Sequence, residues 1–247
     1  MNTTEIQAKS ILSKSRVYEW TINPYRGCQH GCSYCYARFM KRFTHHRESW
    51  GDFVDAKVNA PGLLAEEVKK KKVGRVWISG VCDPYQPIEE EYEITRRCLE
   101  VLQKNGWPVT IQTKSPLVLR DLDLLKDFGK IEVGFSIGTG NEELRSTFEP
   151  KTPRIEERID ALKILHREDV RTYVMIAPML PNTESLPSQL EGKVDYVVID
   201  KMNYHYADWI YRKYDLEGAK TNEFFVQKGT ELANLFRMRE IPCQLLF

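Results

Sequence analysis

Short apolar runs alternate along this chain with longer stretches whose apolar residues recur at helical spacing. The run from Val17 to Ile22 predicts a first strand. Val73–Ser79, Val109–Thr113, Ile131–Ile137, Val170–Ala177 and Val194–Ile199 predict five more, each with the short length and Val/Ile makeup of a buried strand. Between them, Pro61–Lys72 predicts a helix with proline near its first turn, where the missing N–H costs nothing. Glu89–Lys104 predicts a second helix, with Ile94, Cys98 and Leu102 on one face. Pro116–Phe128 predicts a third. Thr152-Pro153 reads as a cap and first helical position for a helix running to His166. Six β/α units imply an α/β fold, a parallel sheet with helices outside.

In such sheets, function gathers at the C-terminal ends of the strands. The chemically unusual residues lie there. Cys28 to Cys35 follow the first strand, and Cys82-Asp83-Pro84 follow the second. Lys114-Ser115 follow the third, Ser136 to Gly140 end the fourth, and Pro178 follows the fifth.

Length and composition narrow the picture. The 247 residues suit a single domain spanning 1–247, with a barrel core over about 17–200 and a lid and tail over about 201–247. No apolar run reaches the length of a membrane span, and no charged-then-apolar leader opens the chain. The expectation is a cytoplasmic protein without a membrane partner. A net charge of +1 weighs against a dedicated nucleic-acid binder and leaves room for a local basic groove.

The densest chemistry is Cys28-Gln29-His30-Gly31-Cys32-Ser33-Tyr34-Cys35, three thiols at C-x3-C-x2-C spacing on one short loop. Zinc fingers and ribbons need a second ligand pair, and none follows. Six scattered cysteines in a chain of this length do not suggest a disulfide framework. Three thiolates with no fourth partner nearby suit a metal cluster with one open position, which usually marks chemistry rather than structure.

This spacing resembles the radical S-adenosylmethionine (SAM) superfamily. The flanks Asn23-Pro24-Tyr25-Arg26-Gly27 and Tyr36-Ala37-Arg38 are similar to its spore photoproduct lyase-like (DNA repair photolyase-like) branch. So are Asp83-Pro84-Tyr85-Gln86-Pro87, Thr113-Lys114-Ser115 and Phe148-Glu149-Pro150. The resemblance covers about residues 17 to 200 and implies a partial (β/α)6 TIM-type barrel. It implies a [4Fe-4S] cluster on Cys28, Cys32 and Cys35, with SAM on the fourth iron. One electron from a donor such as a flavodoxin or ferredoxin would cleave SAM to a 5′-deoxyadenosyl radical. By the same resemblance, Tyr34 lies against the adenine and Lys114 meets the SAM carboxylate as a point charge. Ser136 does similar work. Glu149 either accepts from the ribose or braces the loop after the fourth strand.

The resemblance implies a lyase-like enzyme acting on a nucleic acid or nucleotide. Two departures leave the substrate open. The lyase's hydrogen-donating cysteine aligns with Gly80, two residues before Cys82. Cys82 is a displaced candidate for that role or a structural thiol. The tail after residue 200 does not align, and the Tyr- and Arg-rich hairpin that the lyase uses to open duplex DNA is missing. A radical SAM enzyme for a small molecule or peptide is one alternative. A non-catalytic Fe–S or zinc module that senses redox state or binds a partner is another. Lys114, Ser136 and Glu149 argue against the last, because a sensor needs no SAM pocket. Met202–Tyr214 is dense in aromatics (Tyr204, His205, Tyr206, Trp209, Tyr211, Tyr214) beside Arg212 and Lys213. It suits stacked bases or an ordinary packed lid. The basic run Arg38, Lys41, Arg42 and Arg47, with His45 and His46, suits a solvated face or a phosphate contact. The sequence leaves the oligomeric state open.

Overall fold

The computed structural model describes residues 1–247. The chain divides into two compact units, Met1–Gly31 with Ala37–Val133 and Cys32–Tyr36 with Gly134–Phe247. The first unit carries β1 (Asn2–Ile6), β2 (Ser13–Lys14), β3 (Trp20–Ile22), β4 (Tyr25–Arg26), β5 (Phe53–Lys57), β6 (Val76–Ile78) and β7 (Val109–Thr113). Strands β3, β6 and β7 are parallel neighbours, with Ile22 opposite Ile78 and Ile78 opposite Ile111. All three isoleucines are fully buried. Strand β2 pairs antiparallel with β3 as an edge. The helix Ile94–Lys104 buries Ile94, Cys98, Leu99 and Leu102, so Cys98 is core, as its spacing predicts.

Strand β8 (Ile131–Ser136) carries the chain into the second unit. There β10 (Tyr196–Ile199) lies parallel between β9 (Arg171–Ile176) and β11 (Cys243–Leu245), the other edge. The parallel strands form an open sheet, as a partial barrel requires. Helices Glu142–Phe148, Ile155–Arg167, Leu186–Leu190, Asp208–Lys213 and Asn222–Arg237 complete this unit.

The sequence-predicted elements differ from the observed ones for local reasons. The Glu89–Lys104 helix breaks at Glu93, whose φ is 47°. The buried Glu89 carboxylate causes the break by accepting the N–H groups of Thr95 (3.0 Å) and Arg96 (3.2 Å), which caps a new helix. Thr152 does not cap the following helix. Its hydroxyl donates to the Glu149 carbonyl (2.9 Å), and the helix starts at Ile155 with Glu157 reaching back to the Arg154 N–H. Pro116–Phe128 is a 3₁₀ turn, Pro116–Asp121, followed by a short helix, Leu122–Lys126. The first helix runs Ala60–Glu67, with a turn over residues 68–70 in place of its predicted end. A second sheet, in the order β1-β5-β4, was not predicted from the pattern.

Candidate functional site

In the first unit, glycine opens the cysteine loop. Gly27 has φ +91°, and a Cβ there would sit 2.4 Å from the Phe53 carbonyl, so only glycine fits. The loop after β6 then grips the start of the cysteine loop. The Gln86 side chain accepts the Gln29 N–H (2.8 Å) and donates to the Gly27 carbonyl (3.4 Å). Gln29 in turn accepts the Ile88 N–H (2.6 Å).

Asp83 is the hub of this unit's strand ends. It accepts from the Tyr85 N–H (2.9 Å), the Thr113 hydroxyl (2.6 Å) and the Lys114 N–H (2.8 Å). His30, inside the cysteine loop and fully covered, brings Nδ1 to 3.3 Å from Asp83. That nitrogen touches the carboxylate without an aligned hydrogen bond. Burial works to raise the Asp83 pKa. His30, Thr113 and Lys114 outweigh it and hold the carboxyl at about 2. Lys114 is half-buried at the end of β7, its N–H fixed by Asp83.

Cys82 lies in a polar nest. Its sulfur is 2.9 Å from the Ser79 hydroxyl. The Asn23 side-chain oxygen accepts from Ser79 Oγ (3.0 Å) and from the N–H groups of Gly80 and Val81 (both 2.9 Å). Lys57 donates to the Asn23 carbonyl (2.7 Å), and burial lowers its pKa. Burial also pushes the Cys82 thiol up to about 11, so it stays protonated at neutral pH.

The second unit holds Cys32 to Tyr36. Ser33 donates its N–H (2.8 Å) and hydroxyl (3.0 Å) to the Phe148 carbonyl. The Tyr34 phenol donates to Glu149 Oε1. The other Glu149 oxygen accepts from Arg158 (2.6 Å), which is fully buried and also donates to the Ser136 carbonyl (2.9 Å). Tyr34, Ser136 and Glu149, three of the sequence-predicted residues, are thereby brought together through Arg158. Burial, then Glu149 and Cys32, push the Tyr34 phenol well above its ordinary range. Burial works against the Arg158 charge, and Glu149, with Tyr34 and Cys32 behind it, restores and raises its pKa. Arg158 has no motif around it. Its signal is positional, on the buried stripe of Ile155, Ala161, Leu162 and Leu165.

None of the six cysteines is joined in a disulfide, with Cys28 and Cys32 buried and Cys35 half-buried. A radical SAM superfamily profile matches residues 22–187, which include all three loop cysteines, Cys82, Lys114, Ser136 and Glu149. The chain belongs to the radical SAM superfamily. An uncharacterized protein of Methanocaldococcus jannaschii is 39% identical over 180 residues, covering 72% of this chain and 68% of the relative. A radical SAM Nalpha-GlyT isomerase of Pseudomonas phage M6 is 25% identical over 160 residues, or 64% of this chain and 32% of that enzyme. The fold is similar to that of spore photoproduct lyase complexed with dinucleoside spore photoproduct. The TM-score is 0.75 at 15% identity, over 99% of this chain and 82% of that one. The partial-barrel expectation and the resemblance to this radical SAM branch both stand.

Thiolates are the donors that hold Fe–S clusters, and the loop offers three cysteines. No group of three or more His, Cys, Asp or Glu side chains converges as a ready-made ion site. A cavity of about 680 Å³ lies elsewhere in the first unit, at the N-terminal ends of β3, β6 and β7. It is lined by Glu19, Arg75, Trp107 and Lys130 among others and includes none of the site residues. In the radical SAM chain's aromatic segment, Ile210 and Tyr211 are buried, with the Tyr211 ring edge-on to Phe148 at 5.2 Å, as in a packed lid. Tyr204, Tyr206, Trp209 and Tyr214 are exposed. In the basic run, His46 is bound to Asp55 (2.7 Å), and Lys41 and Arg42 donate to backbone carbonyls.

Proposed function

We propose that this chain holds a [4Fe-4S] cluster on Cys28, Cys32 and Cys35 and binds SAM beside it. It then starts radical chemistry on a nucleic acid or nucleotide. One observation carries the reading: three cysteines at C-x3-C-x2-C spacing lie inside the segment that the radical SAM superfamily profile matches. When bound, cluster and SAM together supply an organic radical made by one-electron reduction. A small flavodoxin or ferredoxin is the fitting electron donor.

The chain's own residues orient and protect. The Tyr34 ring is held by its phenol bond to Glu149, and an aromatic side chain at this place in the loop suits an adenine. Both Glu149 oxygens bond to protein groups, which favours the bracing role over a ribose contact. Lys114, fixed at its backbone by Asp83, offers the charge for the SAM carboxylate. Ser136 is held at the end of β8 by Arg158. Cys82 keeps its proton at neutral pH, the form a hydrogen donor needs, while its sulfur rests against Ser79. The nucleic-acid reading draws on the likeness to the lyase, whose structure holds a dinucleoside.

Anaerobic reconstitution with iron and sulfide tests this. About one cluster per chain is expected, with 5′-deoxyadenosine released on reduction with SAM. Cys28→Ala, Cys32→Ala and Cys35→Ala should each lose the cluster, read by iron and sulfide content and by electron paramagnetic resonance. Full cluster occupancy in all three variants overturns the assignment.

A further inference from the structure

Three tyrosine rings form a ladder on the surface of the second unit. Tyr36, the residue after Cys35, lies against Tyr204 with ring centroids 5.6 Å apart and planes 18° from parallel. Tyr204 continues onto Tyr206 at 6.2 Å and 23°. The rings are 36%, 47% and 41% exposed, unlike Tyr211 in the same segment, which is covered. The three residues stack on one another and still stand partly in solvent, which leaves the ends of the ladder at the surface.

The charges around the ladder favour an anionic strand. Asp208 is occupied by Lys220 and approached by His205 (3.2 Å). Arg212 spends one N–H on the Asp208 carbonyl (3.4 Å), and Lys213 lies over the Tyr214 ring at 5.3 Å. Both cations keep donors for a phosphate. They sit on the helix Asp208–Lys213, which begins two residues after Tyr206. At about 1.5 Å of rise per residue, they lie roughly 10 Å along the chain from the ladder.

We propose that Tyr36, Tyr204 and Tyr206 form a stacking platform for the unpaired bases of a single-stranded nucleic acid, with Arg212 and Lys213 on its phosphates. Every base has a flat π-face that stacks on an aromatic ring without hydrogen-bond readout. A closed duplex offers only its terminal pairs to such a surface. The role as a substrate platform rests on the nucleic-acid reading above. The ladder starts one residue beyond the third cysteine, so a base capping it arrives beside the cluster loop.

Fluorescence anisotropy with a labelled oligothymidylate of about 12 nucleotides tests the platform on the whole chain, before and after cluster reconstitution. The single strand should bind at least about tenfold tighter than a duplex of the same length. Tyr204→Ala and Tyr206→Ala should each weaken binding about tenfold, and Tyr204→Phe should restore it. Arg212→Gln with Lys213→Gln should flatten the dependence of log affinity on log salt by roughly 1.4. An oligouridylate run in parallel identifies the preferred sugar, and binding of either strand supports the platform. Equal affinity for duplex and single strand, or alanine variants that bind like the parent, overturns it. So does a ladder-dependent dimer that binds no oligonucleotide, which would assign the rings to a second copy. Release of 5′-deoxyadenosine is scored separately on the reconstituted parent protein. Its presence without strand binding sinks the platform alone. Strand binding without it sinks the radical reading and removes the platform's role as a substrate site.

Discussion

Arg158→Met is the sharpest test of how the second unit holds Tyr34. Arg158 is fully buried, and its guanidinium is the cation beside the buried Glu149 carboxylate at 2.6 Å. Methionine keeps much of the volume and removes the charge. Glu149 is then left ionised without its counter-ion, and the Ser136 carbonyl loses its donor. Breaking one side of a buried pair costs about 3–5 kcal/mol. A domain of this size is stable by about 5–15 kcal/mol, so the loss is a large share. At about 2–4 °C per kcal/mol, the melting temperature should fall by about 6–20 °C. Urea titration at pH 7 of parent and variant, both without cluster, gives the difference directly. Adding Glu149→Gln should recover part of the loss, because the stranded charge is gone. An Arg158→Met protein within about 1 kcal/mol of the parent would refute the argument. So would a double variant no more stable than the single one.

The other expectations are simpler. Lys114→Ala should weaken SAM binding to the reconstituted protein by about tenfold or more at unchanged cluster content, since a charge-assisted contact is worth about 1.5–3 kcal/mol; calorimetry showing equal affinity removes the role. Asp83 has its folded pKa depressed to about 2 from 3.8, so its stabilisation is complete above about pH 4 and fades as pH falls toward 2. Asp83→Asn should therefore cost on the order of 2 kcal/mol at pH 7 and little near pH 2, and urea midpoints that differ equally at both pH values contradict this. The half-buried Cys82 thiol, with a pKa of about 11, should resist alkylation at pH 8 in the folded protein, and mass spectrometry showing it labelled as fast at pH 8 as a cysteine in the urea-unfolded chain would count against the raised pKa. Cys82→Ala should still release 5′-deoxyadenosine, with loss of normal product only if this thiol returns the hydrogen atom.

What could be read from the sequence depended on how far away each residue's partner lies. Strand β7 spans the predicted residues because Val109–Thr113 alternates simply and is almost wholly buried. Strands β1 and β5 escaped notice for opposite reasons. Asn2–Ile6 is polar and largely exposed, so it carries no apolar period. Phe53–Lys57 is mostly buried, yet it contains Asp55 and Lys57, which pattern reading places outside. Those charges are tolerated because His46 takes Asp55 and Lys57 donates to the Asn23 carbonyl. The break at Glu93 was equally hidden, since it depends on where the Glu89 carboxylate turns. At the site, the rare residue types announced themselves: three close cysteines, a lysine at a strand end, a Phe-Glu-Pro run. Asn23, Gln86 and Arg158 did not. Each is an ordinary polar residue whose role comes from partners tens of residues away.

The two units solve the same problem in the same way. In the first, Asp83 is hydrogen-bonded to the end of β7 through Thr113 and Lys114, and a residue of the cysteine loop, His30, lies in contact with it at 3.3 Å. In the second, Glu149 joins another loop residue, Tyr34, to the end of β8 through Arg158 and Ser136. Each tether is a buried carboxylate rather than an apolar contact. Apolar packing would tolerate small shifts, whereas a buried carboxylate demands its donors at bonding distance and fixes their positions. Within each unit, the cysteine-loop residue is thus held against a strand end of that same unit. Asn in place of Asp83, or Gln in place of Glu149, keeps the shape and removes the charge. It should therefore disturb loop geometry and SAM affinity more than it disturbs the sheet beneath.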